Sequence, residues 1–184
     1  MRSLQNHFLI AMPAMADPNF NETVTYICKH DAEGAFGIVI NRVSDVSLGE
    51  LLGQLAIEIK DRSVVEHAIM HGGPVEPERG FVLHRSEQPF DATLATGSEI
   101  KLTSSPDILT AIGHGIGPRP VLIALGYAGW GRGQLEAEID NNTWLTVPAI
   151  ASVIFDTPAE QRWTAALGLP GVDIQRITEY AGHA

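Results

Sequence analysis

Cys28 and His30 stand two residues apart, at the end of a stretch that alternates. Val24, Tyr26 and Cys28 fall on one face of this stretch, and Thr23, Thr25 and Ile27 on the other. Residues i and i+2 of a strand share a face, so the spacing would bring a thiol within reach of an imidazole. A neighbouring imidazolium stabilises a thiolate and makes it a nucleophile or a redox sensor. The competing expectation is a core cysteine, because unpaired Cys is among the most buried residue types. We favour the core and keep a thiol-dependent enzyme or redox-responsive protein as the alternative.

His67, His71 and His84 invite a metal reading, with Glu66, Glu76 and Glu78 nearby. The segment reads as strand and lacks the His-Glu-x-x-His arrangement that places two ligands on one helix face. Structural histidines are therefore expected, with no metal or cofactor. Two glycine-rich segments could suggest phosphate binding. Gly113 to Gly117 follows a helix, the wrong context for a dinucleotide fingerprint. Gly126 to Gly133 lies between an apolar strand and a helix, where Trp130 and Arg132 could hold an anion at the helix start. The acids Glu136, Glu138 and Asp140 oppose phosphate there and complement the helix dipole instead. Asp17, Asn41, Arg42 and Arg79 are polar residues in loops beside strands, where binding groups concentrate. The arginines could clamp a carboxylate. They could equally pin loops, with Asp17 as a turn former before Pro18.

No Gly-x-Ser-x-Gly elbow is present, so the hydrolase signature is missing. The chain carries 22 acidic and 12 basic residues, a net charge of −10, with no run of Lys or Arg. Such a field repels nucleic acid and anionic membranes, and the helix predicted from Pro106 to Ile112 has no cation to read DNA. The single cysteine excludes an internal disulfide framework and suits a reducing, cytoplasmic compartment. Phe8 to Ala16 has a faint likeness to a signal peptide, but Pro13 interrupts it and only Arg2 precedes it; we read a first strand and its turn.

These residues need a scaffold, and 184 residues fit one domain spanning 1–184. Strands are expected at His7 to Ala11, Thr23 to Cys28 and Ala35 to Ile40, the last two forming an antiparallel hairpin. Further strands are expected at His67 to His71, Gly80 to His84, Ile100 to Thr103, Pro120 to Gly126 and Trp144 to Val147. Ser47 and Glu50 have capping-box spacing and open a helix to Leu55. Ser105 caps a second helix with Pro106 at its first position. Gln134 to Asp140 and Thr157 to Leu167 complete the helices. Consecutive strands without intervening helices argue for an α+β fold with a mostly antiparallel sheet, strongly curved because glycines crowd the strand ends.

Three blocks are more specific. The first runs from Ala11-Met12-Pro13-Ala14-Met15-Ala16-Asp17-Pro18-Asn19-Phe20 to the hairpin ending Gly37-Ile38-Val39-Ile40-Asn41-Arg42. The second is Gly72-Gly73-Pro74-Val75 with Arg79-Gly80-Phe81-Val82-Leu83-His84. The third is Leu125-Gly126-Tyr127-Ala128-Gly129-Trp130 with Gly133-Gln134-Leu135-Glu136-Ala137-Glu138. In order and spacing they resemble the YqgE/AlgH family of bacterial proteins, from about Asn6 to the Gly182-His183-Ala184 end. Val43 and Pro106 depart from the family pattern at a turn and a cap. The resemblance implies a barrel-like antiparallel sheet with flanking short helices. It also implies a transcriptional-regulator label that rests on no DNA-binding motif, and it carries over no catalytic residue. The function expected is a non-enzymatic regulatory or adaptor protein that binds a protein partner or a small anionic ligand.

Overall fold

The structure, a computed structural model, describes residues 2–97 and 99–169. The expected Gly182-His183-Ala184 end lies outside them. The strands are β1 His7–Ala11, β2 Val24–Asp31, β3 Gly34–Val39, β4 Val43–Ser47, β5 Ala68–His71, β6 Val75–His84, β7 Thr93–Ala95, β8 Lys101–Thr103, β9 Val121–Gly131 and β10 Trp144–Pro148. The α-helices are α1 Leu48–Gln54, α2 Asp107–Gly113, α3 Gln134–Asp140, α4 Ala151–Phe155 and α5 Arg162–Leu167. The strands form one curled half-barrel sheet in the order β10-β1-β2-β3-β9-β6-β8-β7, with β4 and β5 branching off at β9. Every pairing is antiparallel except β5 with β9. The fold is α+β as the sequence implies.

Three apolar layers hold the sheet. Its concave face buries Phe8, Tyr26, Cys28, Ile38, Phe81, Leu102 and Leu122, closed by Val153 and Ile154 of α4 and Ala166 of α5. Leu48, Leu52, Ile108 and Ile112 of α1 and α2 cover one part of the outer face. Leu135 of α3 joins Leu9, Ile27, Trp130 and Trp144 on another.

β9 belongs to all three layers because its alternation is reset at Gly126. Leu122 and Ala124 face the concave core and Ile123 faces α1 and α2. After Gly126, Tyr127 turns to the concave side while Ala128 and Trp130 pack beneath α3. Gly126 has φ 78, which only glycine adopts freely. A Cβ there would sit 2.5 Å from the Gly73 carbonyl, and a Cβ on Gly73 would sit 2.1 Å from the Tyr127 carbonyl carbon. Two of the sequence blocks therefore meet where two backbones pass in direct contact.

Several local expectations need correction. The third block was expected to leave the strand at Gly126; β9 instead runs to Gly131. Ser105 does not cap α2: its hydroxyl bonds the Asp107 carboxylate and the Ala92 N–H, and Pro106 occupies the cap position. The Thr157 hydroxyl donates back to the Ser152 carbonyl, so only a short 3-10 turn precedes α5. The capping box at Ser47 and Glu50 forms as expected.

Candidate functional site

The expected Cys28–His30 pair does not form. Ile27 pairs with Gly37, yet Lys29 pairs with Phe36, leaving Cys28 as the extra residue of a β-bulge. The bulge breaks the period of two. Cys28 joins the concave core with Val24 and Tyr26, Lys29 takes the same side, and His30 is turned to the opposite face. Burial pushes the Cys28 thiol far above its usual range, and the thiol donates to the Tyr26 carbonyl at 3.7 Å. His30 accepts the Leu4 N–H at Nδ1, 2.9 Å away, so Nε2 carries the proton and donates to Glu136 at 2.8 Å. That carboxylate is held below its usual range by its own backbone N–H first and then by His30. His30 is thus a clamp between the N-terminal segment and α3.

Most of the loop candidates also pin structure. Arg42 donates to the Asn21 carbonyl at 2.9 Å and its side chain at 2.7 Å, and to the Pro18 carbonyl. Asn41 accepts the Val24 N–H and donates to the Glu22 carbonyl. Asp17 accepts the Asn19 N–H, as a turn former does. These bonds explain the first block: Asn41 and Arg42 fasten the loop that Asp17 shapes. Trp130 is buried, and its indole N–H donates to Glu138, as does that of Trp144, at 2.9 and 2.8 Å. Arg132 reaches the Ala32 carbonyl and Glu33.

His84 is buried as well. It accepts the Ser86 N–H at Nδ1 and therefore donates from Nε2 to the Thr103 hydroxyl, 2.7 Å away. Among the described residues no cluster of three or more His, Cys, Asp or Glu is placed to hold a metal ion.

Arg79 differs. It borders an open groove of about 440 Å³ at the mouth of the concave face. Phe36, Phe81 and Tyr127 line it, from β3, β6 and β9. Their rings form a closed triangle, with centroids 4.8 Å apart for Phe36 and Tyr127, 5.4 Å for Phe36 and Phe81 and 5.8 Å for Phe81 and Tyr127. Phe81 is buried while Phe36 and Tyr127 are half-buried, so the concave core continues to solvent through this triangle. Lys29 stands on one rim beside Asp31, and Arg79 stands over the Phe81 ring at 5.2 Å, beside Glu76. Thr93, Leu94 and Ser104 complete the wall. Alternation alone missed Lys29 and Tyr127, because each reaches the groove through a shift of strand parity. A smaller pocket of about 240 Å³ lies by His67 and Arg119, where Arg119 is paired with Asp61.

Comparison with known proteins fits this architecture. The AlgH-like family model matches residues 8–175. A UPF0301 protein of Xanthomonas campestris pv. campestris (strain B100) is 50% identical over 181 residues, covering 98% of this chain and 96% of that one. A UPF0301 protein of Methylococcus capsulatus is 51% identical over 180 residues, with the same coverage of both chains. The solution structure of the AlgH protein from Pseudomonas aeruginosa superposes with a TM-score of 0.81 at 48% identity, over 100% of both chains. A crystal structure from Corynebacterium diphtheriae, protein DIP2367, gives a TM-score of 0.73 at 18% identity over 95% of this chain and 92% of that one, a likeness of fold alone. The chain belongs to the AlgH-like family.

Proposed function

We propose that this protein acts by binding, as a non-enzymatic regulatory or adaptor protein of the cytoplasm, and that its ligand enters the groove between Lys29 and Arg79. The observation that carries this reading is the half-open triangle of Phe36, Phe81 and Tyr127. Binding sites are concave and mostly apolar, with a few convergent polar groups, and this groove has that composition. The thiol chemistry considered from sequence has less support, since Cys28 is buried and turned away from His30. Direct DNA binding is opposed by the net charge of −10. No helix among the described residues is long and apolar enough to cross a membrane.

The test is a thermal-shift screen of small metabolites and of copurified fractions, followed by amide chemical-shift mapping of the hits. A hit that perturbs β3, β6 and β9 around the groove, and loses its shift in Tyr127→Ala, supports the reading. Hits that map to the pocket beside His67 and Arg119, or turnover of a substrate that Cys28→Ala abolishes, overturn it.

A further inference from the structure

The groove is a row of side chains drawn from six strands that are consecutive in the sheet. Lys29 of β2, Phe36 of β3, Tyr127 of β9, Phe81 of β6, Leu102 of β8 and Leu94 of β7 line it in that order. Lys29 pairs with Phe36, and Leu94 pairs with Leu102. Directly paired residues share a face of the sheet. Both ends of the row therefore face the concave side, with the three rings between them.

The charges of the wall are already matched. Among the described residues its charged side chains are Lys29 and Arg79. Lys29 lies 3.0 Å from Asp31 and Arg79 lies 3.1 Å from Glu76, and neither carboxylate is part of the wall. An anionic ligand would have to draw the cations from these partners, in the field of a protein of net charge −10. A cationic ligand would meet Lys29 and Arg79 in the wall before either acid. Neither sign of ion gains from the site, whereas a neutral ligand leaves both pairs intact.

The floor is aromatic as well as apolar. Phe36 is inclined at 45° to Tyr127 and 59° to Phe81, and Phe81 at 80° to Tyr127. Rings tilted in this way present edges as well as faces. An aromatic edge is positive and attracts the negative face of a further ring. The exposed guanidinium of Arg79 lies 5.2 Å from the centre of the Phe81 ring, and a cation at that rim favours a second π face in the same way. A saturated ring of equal size would gain from area burial alone.

Resting on the binding reading above, we propose that the groove takes a small neutral aromatic molecule, such as a phenol or an indole, with its ring against Phe36, Phe81 and Tyr127. The volume of about 440 Å³ suits a free small molecule, since ligand pockets run from about 300 to about 1,000 Å³. Lys29 and Arg79 border the ligand without neutralising it, and the three rings select it by their edges and faces.

The experiment is a titration monitored by amide chemical shifts with four probes: neutral 2-naphthol, anionic 2-naphthoate, cationic 2-naphthylmethylamine and saturated decahydro-2-naphthol. The expected result is binding of 2-naphthol at the groove at least about threefold more tightly than any of the other three. Phe36→Leu keeps the floor apolar and removes one ring. It should reduce the preference for 2-naphthol over its saturated analogue and leave the analogue's own affinity unchanged. Folding of the variant is checked by its amide spectrum away from the groove. Binding of either ion as tightly as 2-naphthol overturns the neutral assignment and leaves groove binding standing. Equal binding of the saturated analogue, or a preference undiminished in Phe36→Leu, overturns the aromatic assignment. Absence of groove shifts with all four probes overturns this inference, and the screen above decides separately whether the groove binds anything else.

Discussion

Cys28 and His30, two residues apart in sequence, lie on opposite faces of β2 because Cys28 is the extra residue of a bulge. The consequence is chemical. The thiol sits in the apolar core with no imidazole to stabilise its thiolate, and burial raises its affinity for the proton.

Native Cys28 should therefore resist thiol reagents from neutral pH to about pH 9, above the ordinary thiol midpoint of about 8.5, and react at once after unfolding. A labelling rate measured across pH in native and denatured protein checks this. Rapid native labelling with a midpoint below the ordinary value would sink the buried assignment.

How much of this was legible depends on parity. The strand from His7 to Ala11, the hairpin around Asp31 to Gly34 and the Ser47–Glu50 box follow local rules of alternation, turn chemistry and capping, and all appear where those rules put them. β7 escaped because all three of its residues are exposed, leaving no buried face to read. β4 escaped because none of its residues is fully buried, and α4 because it makes little more than one turn and has no capping side chain. The groove was the least legible part. Lys29 and Tyr127 reach it through the bulge at Cys28 and the left-handed Gly126, and nothing in the apolar pattern marks Phe36 and Phe81 as groove residues. Among the loop candidates only Arg79 met it, and it lies within β6. Arg42 and Asn41 have partners far along the chain that no local pattern reveals, whereas Asp17 forms the local turn that its place before Pro18 suggests.

Glu138 holds two indoles at once. Glu138→Ala would leave the Trp130 and Trp144 N–H groups without their acceptor, and an unsatisfied buried donor costs about 1–3 kcal/mol. We expect a loss of about 2–4 kcal/mol for the pair, with a change in tryptophan emission. Glu138→Gln keeps an acceptor oxygen and should recover much of the loss. Urea denaturation of the three proteins measures both effects; equal stability of the alanine variant and the wild type would contradict the double bond.

His84 should shape the pH dependence of stability. Burial, aided by nearby Lys101, lowers its affinity for a proton in the folded state. In the unfolded chain the ring protonates near about pH 6.5. Below that pH the unfolded state binds more protons, so this contribution to stability is complete above it and is lost as pH falls toward the lower native value. His67, also lowered first by burial, acts in the same window. The carboxylates of Asp31, Glu50, Asp61 and Asp107, held low in the native state, act separately below about pH 4. The drop in urea midpoint between about pH 7.5 and about pH 5 should be smaller in His84→Gln than in the wild type. An unchanged drop would show that His84 does not carry it.

Gly73 and Gly53 should respond in opposite directions to the same substitution. At Gly73 the backbone has φ 152 and an added Cβ would lie 2.1 Å from a backbone carbon of Tyr127. Neither atom can move without separating the backbone before β6 from β9, the crossing that carries Tyr127 into the groove. Gly73→Ala should cost more than about 3 kcal/mol, beyond the usual range for single substitutions, or prevent folding outright. Gly53 lies in α1, where an added Cβ meets nothing within 4 Å. Alanine there recovers the entropic penalty of a helical glycine, so Gly53→Ala should stabilise by about 0.5–1 kcal/mol. Thermal and urea unfolding of both variants test the contrast. Near-wild-type stability in Gly73→Ala would mean that the two backbones do not pass in contact, and with it the placement of Tyr127 in the groove would fall.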